Sequence, residues 1–126
     1  MPASARVIIA AGSLLAALGV ACGAFGAHAL KQRLSADLLG VWQTAVQYHL
    51  WHALGVVLIG AIAAQLSARA WTAAAAGLLI AGILLFSGSL YALALGGPRQ
   101  IGMLTPVGGL ALIAGWICLL VSVLRG

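Results

Sequence analysis

Val7-Ile-Ile-Ala-Ala-Gly-Ser-Leu-Leu-Ala-Ala-Leu-Gly-Val-Ala-Cys-Gly-Ala-Phe-Gly-Ala27 carries no charged side chain. As a helix, a run of about 21 residues is roughly 30 Å long, the thickness of a bilayer's hydrocarbon. Three more runs of this kind follow, at residues 41–65, 71–95 and 106–124. Only helices and closed barrels satisfy their backbone groups in lipid. A barrel needs ten-residue segments of alternating polarity, and none is present. The pattern predicts an all-α fold: a four-helix transmembrane bundle, one integral membrane domain over residues 1–126.

Composition agrees. Of 126 residues, 64% are hydrophobic and 6% charged, against about 25% charged in a soluble domain. Intrinsic disorder needs the opposite balance. The net charge of +5 does not point to nucleic acid. Arg6, Lys31, Arg33, Arg69, Arg99 and Arg125 are dispersed and form no basic stripe. They stand at the ends of apolar runs, where membrane proteins keep their cations. The first run exceeds a signal-peptide core in length and is read as an uncleaved span. Cys22 and Cys118 fall toward opposite surfaces, so an intrachain disulfide is not expected.

The breaks between spans have their own chemistry. Leu30, Leu34 and Leu38 recur every four residues, which predicts a short amphipathic segment between helices 1 and 2, lying as an interfacial helix. Ser35 reads as an N-cap, and Asp37 suits the first turn of a helix starting near Ala36. Thr105-Pro106 reads as a cap before a proline at the first helical position of span 4. Gly19-xxx-Gly23, Gly26, Gly88, Gly108, Gly109 and Gly115 predict close helix contacts.

Polar groups within spans mark where function would lie. At about 100° per residue, Gln43, Gln47, Trp51, Thr44, Tyr48 and His52 fan over about 180° of helix 2. That arc is expected to face the bundle interior or an oligomer interface, with His49 and Trp42 off it. Antiparallel threading puts Ser87, Ser89, Tyr91, Thr105 and His28 in the same half of the membrane. The candidate polar cluster is therefore His28, Gln43, Thr44, Gln47, His49, His52, Ser87, Ser89, Tyr91 and Thr105. The other half reads as almost purely aliphatic. A second candidate is a lipid-phosphate contact from Arg99 with Gly108 and Gly109, at a helix start.

No catalytic set is legible. Ser87-Gly-Ser89 is not a nucleophile elbow, and no phosphate or dinucleotide loop occurs. His28, His49 and His52 could ligate a metal or haem only by meeting at one point. No metal and no cofactor are assigned. Orientation rests on a tie, with Arg6, Arg69 and Arg125 on the side of the termini and Lys31, Arg33 and Arg99 on the other. The α-amino group tips it toward termini in the cytoplasm.

Several blocks carry a likeness. Gly23-Ala-Phe-Gly-Ala-His-Ala-Leu30, Trp42-Gln-Thr-Ala-Val-Gln-Tyr-His49, His52-Ala-Leu54, Phe86-Ser-Gly-Ser-Leu-Tyr91, Thr105-Pro-Val-Gly-Gly109 and Gly115-Trp116 resemble the domain-of-unknown-function 423 family, over nearly the whole chain. The resemblance implies a small four-span protein, in most members of the bacterial inner membrane, with no established activity. The expectation that follows is a non-enzymatic accessory or lipid-interacting bundle. Its partners would be the lipid bilayer and, beyond it, a homo-oligomer or other membrane proteins. The alternatives are an oligomeric transporter or channel subunit and a His-dependent metal or haem protein.

Overall fold

The computed structural model describes all 126 residues. Four helical runs form the fold: α1 (Ala3–Leu30), α2 (Ala36–Gln65), α3 (Arg69–Ala94) and α4 (Arg99–Leu124). There are no strands. The runs have 28, 30, 26 and 26 residues, so each exceeds the ~20 needed to cross the hydrocarbon. They form a bundle with α2 and α3 at its centre. α1 packs on α2, α2 on α3, and α3 on α4.

The linker after α1 is not a separate interfacial helix. Residues Gly26–Leu30 continue α1 as a π-helical turn, and hydrogen-bonded turns follow from the Leu30 carbonyl to the amides of Arg33 and Leu34. The segment is still amphipathic: Leu30 is buried against Trp42 and Ala94, while Lys31 and Arg33 are exposed. With so few residues before Ser35, the leucines have no room for an independent helix. The Ser35 hydroxyl then accepts the Leu38 amide at 3.2 Å, with Asp37 in the first turn of α2.

α3 ends at a glycine lock. Gly96 has φ of +95°, a conformation glycine adopts without a Cβ penalty. This lets Gly97 N–H reach the Ala92 carbonyl at 2.8 Å and Gly96 N–H reach Leu93 at 3.1 Å, the paired bonds of a Schellman stop. After Pro98, α4 begins directly as a 3-10 turn at Arg99–Met103. Thr105 therefore lies inside the helix and caps nothing, because the chain is already helical six residues earlier.

The central core joins Ala53, Val56 and Ile59 of α2 to Ala75, Ala76, Leu79 and Ile83 of α3 and Leu112 of α4. Leucines and isoleucines on the outer faces of α1 and α4, such as Leu14, Leu18, Leu110 and Ile113, are exposed, as lipid as solvent requires. Glycine sets the helix spacing. Gly12, Gly19 and Gly26 recur every seven residues on α1 and all face α2. A Cβ there would fall 2.8 Å from the Val57 amide nitrogen, 2.6 Å from Leu50 and 2.6 Å from Trp42, respectively. Gly82, Gly108 and Gly115 do the same between α3 and α4, with Gly108 against the Phe86 backbone. Gly88 meets nothing within 4 Å and is not a packing glycine.

Candidate functional site

His49 is the most connected polar residue. It is buried, and its Nε2 lies 2.7 Å from the Leu15 carbonyl of α1, its Nδ1 2.8 Å from the Tyr91 hydroxyl of α3. A carbonyl only accepts, so Nε2 carries the proton and donates to Leu15. In the neutral ring Nδ1 is then an acceptor, and Tyr91 O–H donates to it. One imidazole thus ties three helices with a fixed tautomer. Gly19 makes this possible, since a Cβ there would fall 3.3 Å from the His49 ring.

Around His49 runs a seam of aromatic rings. Phe25 meets Trp42 edge-on at 6.0 Å, and Trp42 lies 4.6 Å from Tyr91. Trp42 also donates its indole N–H to the Cys22 carbonyl at 2.9 Å. Tyr48 packs on Phe86 at 4.6 Å and stacks on His52 at 5.9 Å. Trp116 of α4 covers His52 from the other side at 5.9 Å, lying over Gly55. His52 donates Nδ1–H to the Tyr48 carbonyl, 2.7 Å away on its own helix, which leaves Nε2 as its acceptor.

The serines clasp helices. Ser87 donates to the Ala45 carbonyl at 2.7 Å, joining α3 to α2. It closes a second π-helical turn, Ile83–Ser87. Ser89 and Thr105 share a hydrogen bond of 2.5 Å between α3 and α4. No buried side-chain nitrogen or oxygen lacks a hydrogen-bond partner.

The expected cluster is therefore only partly assembled. His49, His52, Ser87, Ser89, Tyr91 and Thr105 form the seam, and Thr44 is half-buried beside it. Gln43 and Gln47 are exposed, so of the two expected facings, bundle interior or oligomer interface, these two side chains do not take the first. α2 has neighbours on two sides, and its buried residues Trp42, Ala45, His49, Ala53 and Val56 centre about a third of a turn from Gln43 at about 100° per residue. The two glutamines instead edge an open groove between α1 and α2, a cavity of about 320 Å³ floored by Gly23 and Gly26. His28 is exposed at the end of α1, whereas His49 and His52 are buried. No three His, Cys, Asp or Glu side chains gather within reach of one ion.

Two further expectations change. Gly108 is buried against Leu85 and Phe86, and Gly109 faces the Phe86 ring. Neither opens to a headgroup beside Arg99, because α4 starts at Arg99 and the glycines lie more than two turns inside it. The half of the membrane near the termini is not purely aliphatic either. Thr72 and Ser122 are buried and hydrogen-bonded at 2.5 Å, and both hydroxyls also lie within reach of the Ala68 carbonyl. Each hydroxyl stands alone in an Ala- or Leu-rich stretch, so no local signal links them. At the same end Arg125 lies over the Trp71 ring at 5.6 Å.

The fold and this seam define a small integral membrane protein held by interhelical hydrogen bonds and close glycine contacts. The chain belongs to a family described as a protein of unknown function, DUF423, whose model matches residues 22–109. It is 43% identical over 121 residues to a UPF0382 membrane protein of Staphylococcus haemolyticus, covering 95% of this chain and 97% of that one. It is 42% identical over 120 residues to the UPF0382 membrane protein YwdK of Bacillus subtilis, covering 95% and 98%. It is also 42% identical over 106 residues to the UPF0382 inner membrane protein YgdD of Escherichia coli, covering 84% and 80%. No solved structure matches.

Proposed function

We propose that this protein is a non-enzymatic, lipid-interacting bundle of the bacterial inner membrane, with both termini in the cytoplasm. The observation that carries this reading is the seam. Each buried polar side chain makes at least one hydrogen bond within the protein, and no fully buried side-chain nitrogen or oxygen is left without a partner. A transport path would need polar groups facing water or each other in line, whereas these face backbone carbonyls and neighbouring hydroxyls. The polar residues that remain free, Gln43, Gln47 and His28, lie on outer surfaces where lipid and partner proteins reach them. The inner-membrane location follows the name of the Escherichia coli relative.

The test is purification in mild detergent with measurement of bound phospholipid, metal content and visible absorbance. Phospholipid retained after size exclusion, without stoichiometric metal or a Soret band, is the expected result. Stoichiometric metal or a Soret band would overturn the reading. So would ion or solute flux in liposomes that disappears in Gln47→Ala or His52→Ala.

A further inference from the structure

At the surface that carries both chain ends, α1, the end of α2 and the start of α3 do not close on one another. They leave a cavity of about 350 Å³, lined in part by Ser4, Ala5 and Ile8 of α1, Ala64 of α2, and Arg69 and Ala73 of α3. It exists because small residues meet there on all three helices. Where the 3-10 turn that ends α2 borders the cavity it presents only Ala63 and Ala64, too small to fill it.

Its chemistry changes with depth. Arg69 is the first residue of α3, and at about 1.5 Å per residue the helix is roughly 9 Å longer than the hydrocarbon is thick. The guanidinium therefore lies at headgroup level, with the Ser4 hydroxyl across the cavity. Ala73 and Ile8 lie one turn further in, at the level where acyl chains begin. Arg69 is the sole charged residue among those lining the cavity. The chain's single acidic side chain, Asp37, belongs to the opposite surface. No carboxylate side chain competes for Arg69, and its fork geometry suits a phosphate.

We infer that this cavity binds one anionic phospholipid. The phosphate meets Arg69 and Ser4, and the first carbons of an acyl chain lie against Ile8 and Ala73. Basic pockets between transmembrane helices are known to take lipid headgroups in this way. The inference rests on the lipid-interacting reading above and gives it a site and a headgroup charge. Arg99, at the opposite surface, has no comparable enclosure.

Native mass spectrometry of the detergent-solubilised full chain tests it, with phosphatidylglycerol and phosphatidylcholine of equal chain length added separately. The expected result is one phosphatidylglycerol held in preference to phosphatidylcholine. Arg69→Gln should weaken it about five-fold, the worth of one cation at a membrane surface. Ala73→Leu, which fills the cavity from an exposed helix position and leaves the charge intact, should also displace it. Arg6→Gln should not, since this substitution removes the same charge from the same surface but outside the cavity. Equal losses in Arg6→Gln and Arg69→Gln, or unchanged binding in Ala73→Leu, would overturn the site while leaving lipid interaction standing. Competition by inorganic phosphate as effective as that by phosphatidylglycerol would overturn the acyl contact. Retention of neither lipid by the unmodified protein would overturn the broader reading as well.

Discussion

Gly108→Ala is the sharpest perturbation of the α3–α4 contact. A Cβ at this position would fall 2.8 Å from the Leu85 carbonyl carbon and the Phe86 Cα, and nearer still to the Phe86 nitrogen. These are backbone atoms of a helix, so no rotamer change relieves the overlap. Ordinary contact begins at 3.4 Å, and α4 must withdraw by roughly 1 Å to reach it. A gap of that size forfeits about a quarter to a half of each dispersion contact it opens. The Leu112 contact at Gly82 and the Leu79 contact at Gly115 open with it, and the Ser89–Thr105 hydrogen bond, three residues away, lengthens. Overpacking of this kind costs about 1–3 kcal/mol. Gly88→Ala is the internal control, because nothing lies within 4 Å of its Cβ and alanine favours the helix by up to about 1 kcal/mol. Both variants gain that propensity, so they should differ by the overpacking cost alone, about 1–3 kcal/mol, in SDS unfolding from mixed micelles, followed by circular dichroism. Equal unfolding midpoints, or a more stable Gly108→Ala, would refute the reasoning.

Other consequences can be measured in the same assay. His49→Phe removes two interhelical hydrogen bonds, to the Leu15 carbonyl and the Tyr91 hydroxyl, and should cost about 1–3 kcal/mol, while Tyr91→Phe, which breaks one bond, should cost about 1–2 kcal/mol. Thr72→Val and Ser122→Ala should show a positive coupling of about 0.6 kcal/mol in a double-mutant cycle, the average for interhelical side-chain hydrogen bonds in membranes; strict additivity would count against the 2.5 Å bond. Gln47→Leu should leave stability unchanged or raise it by up to about 2 kcal/mol, since an exposed carboxamide without a partner in lipid is replaced by an apolar group. A large loss there would return the glutamine face to the interior.

The number of spans, the Ser35 cap and the membrane as solvent were legible because each is written locally. Charge sparsity, run length and an N-cap hydroxyl need no knowledge of partners. The facing of α2 was not. A rule that turns polar arcs toward the bundle interior fails at Gln43 and Gln47, whose side chains are exposed. It also fails because α2 has two neighbours, so the buried arc follows Ala45, Ala53 and Val56 instead. His49 looked isolated because one of its partners is a backbone carbonyl, which has no sequence signature, and the other is 42 residues away. Thr72 and Ser122 are 50 residues apart and were missed for the same reason. The seven-residue repeat of Gly12, Gly19 and Gly26 was present in the sequence. The shorter Gly19–Gly23 spacing is the weaker packing signal, since Gly23 meets only Val46, at 3.3 Å.

The central claim is that the polar half of this protein is a dry, hydrogen-bonded seam. Solid-state NMR of the ¹⁵N-labelled protein in lipid bilayers addresses it at His49. The expected result is a single neutral Nε2–H tautomer whose proton exchanges slowly with deuterated water and shows no magnetisation transfer from water. A mixture of tautomers, or a strong water cross-peak at that ring, would contradict it.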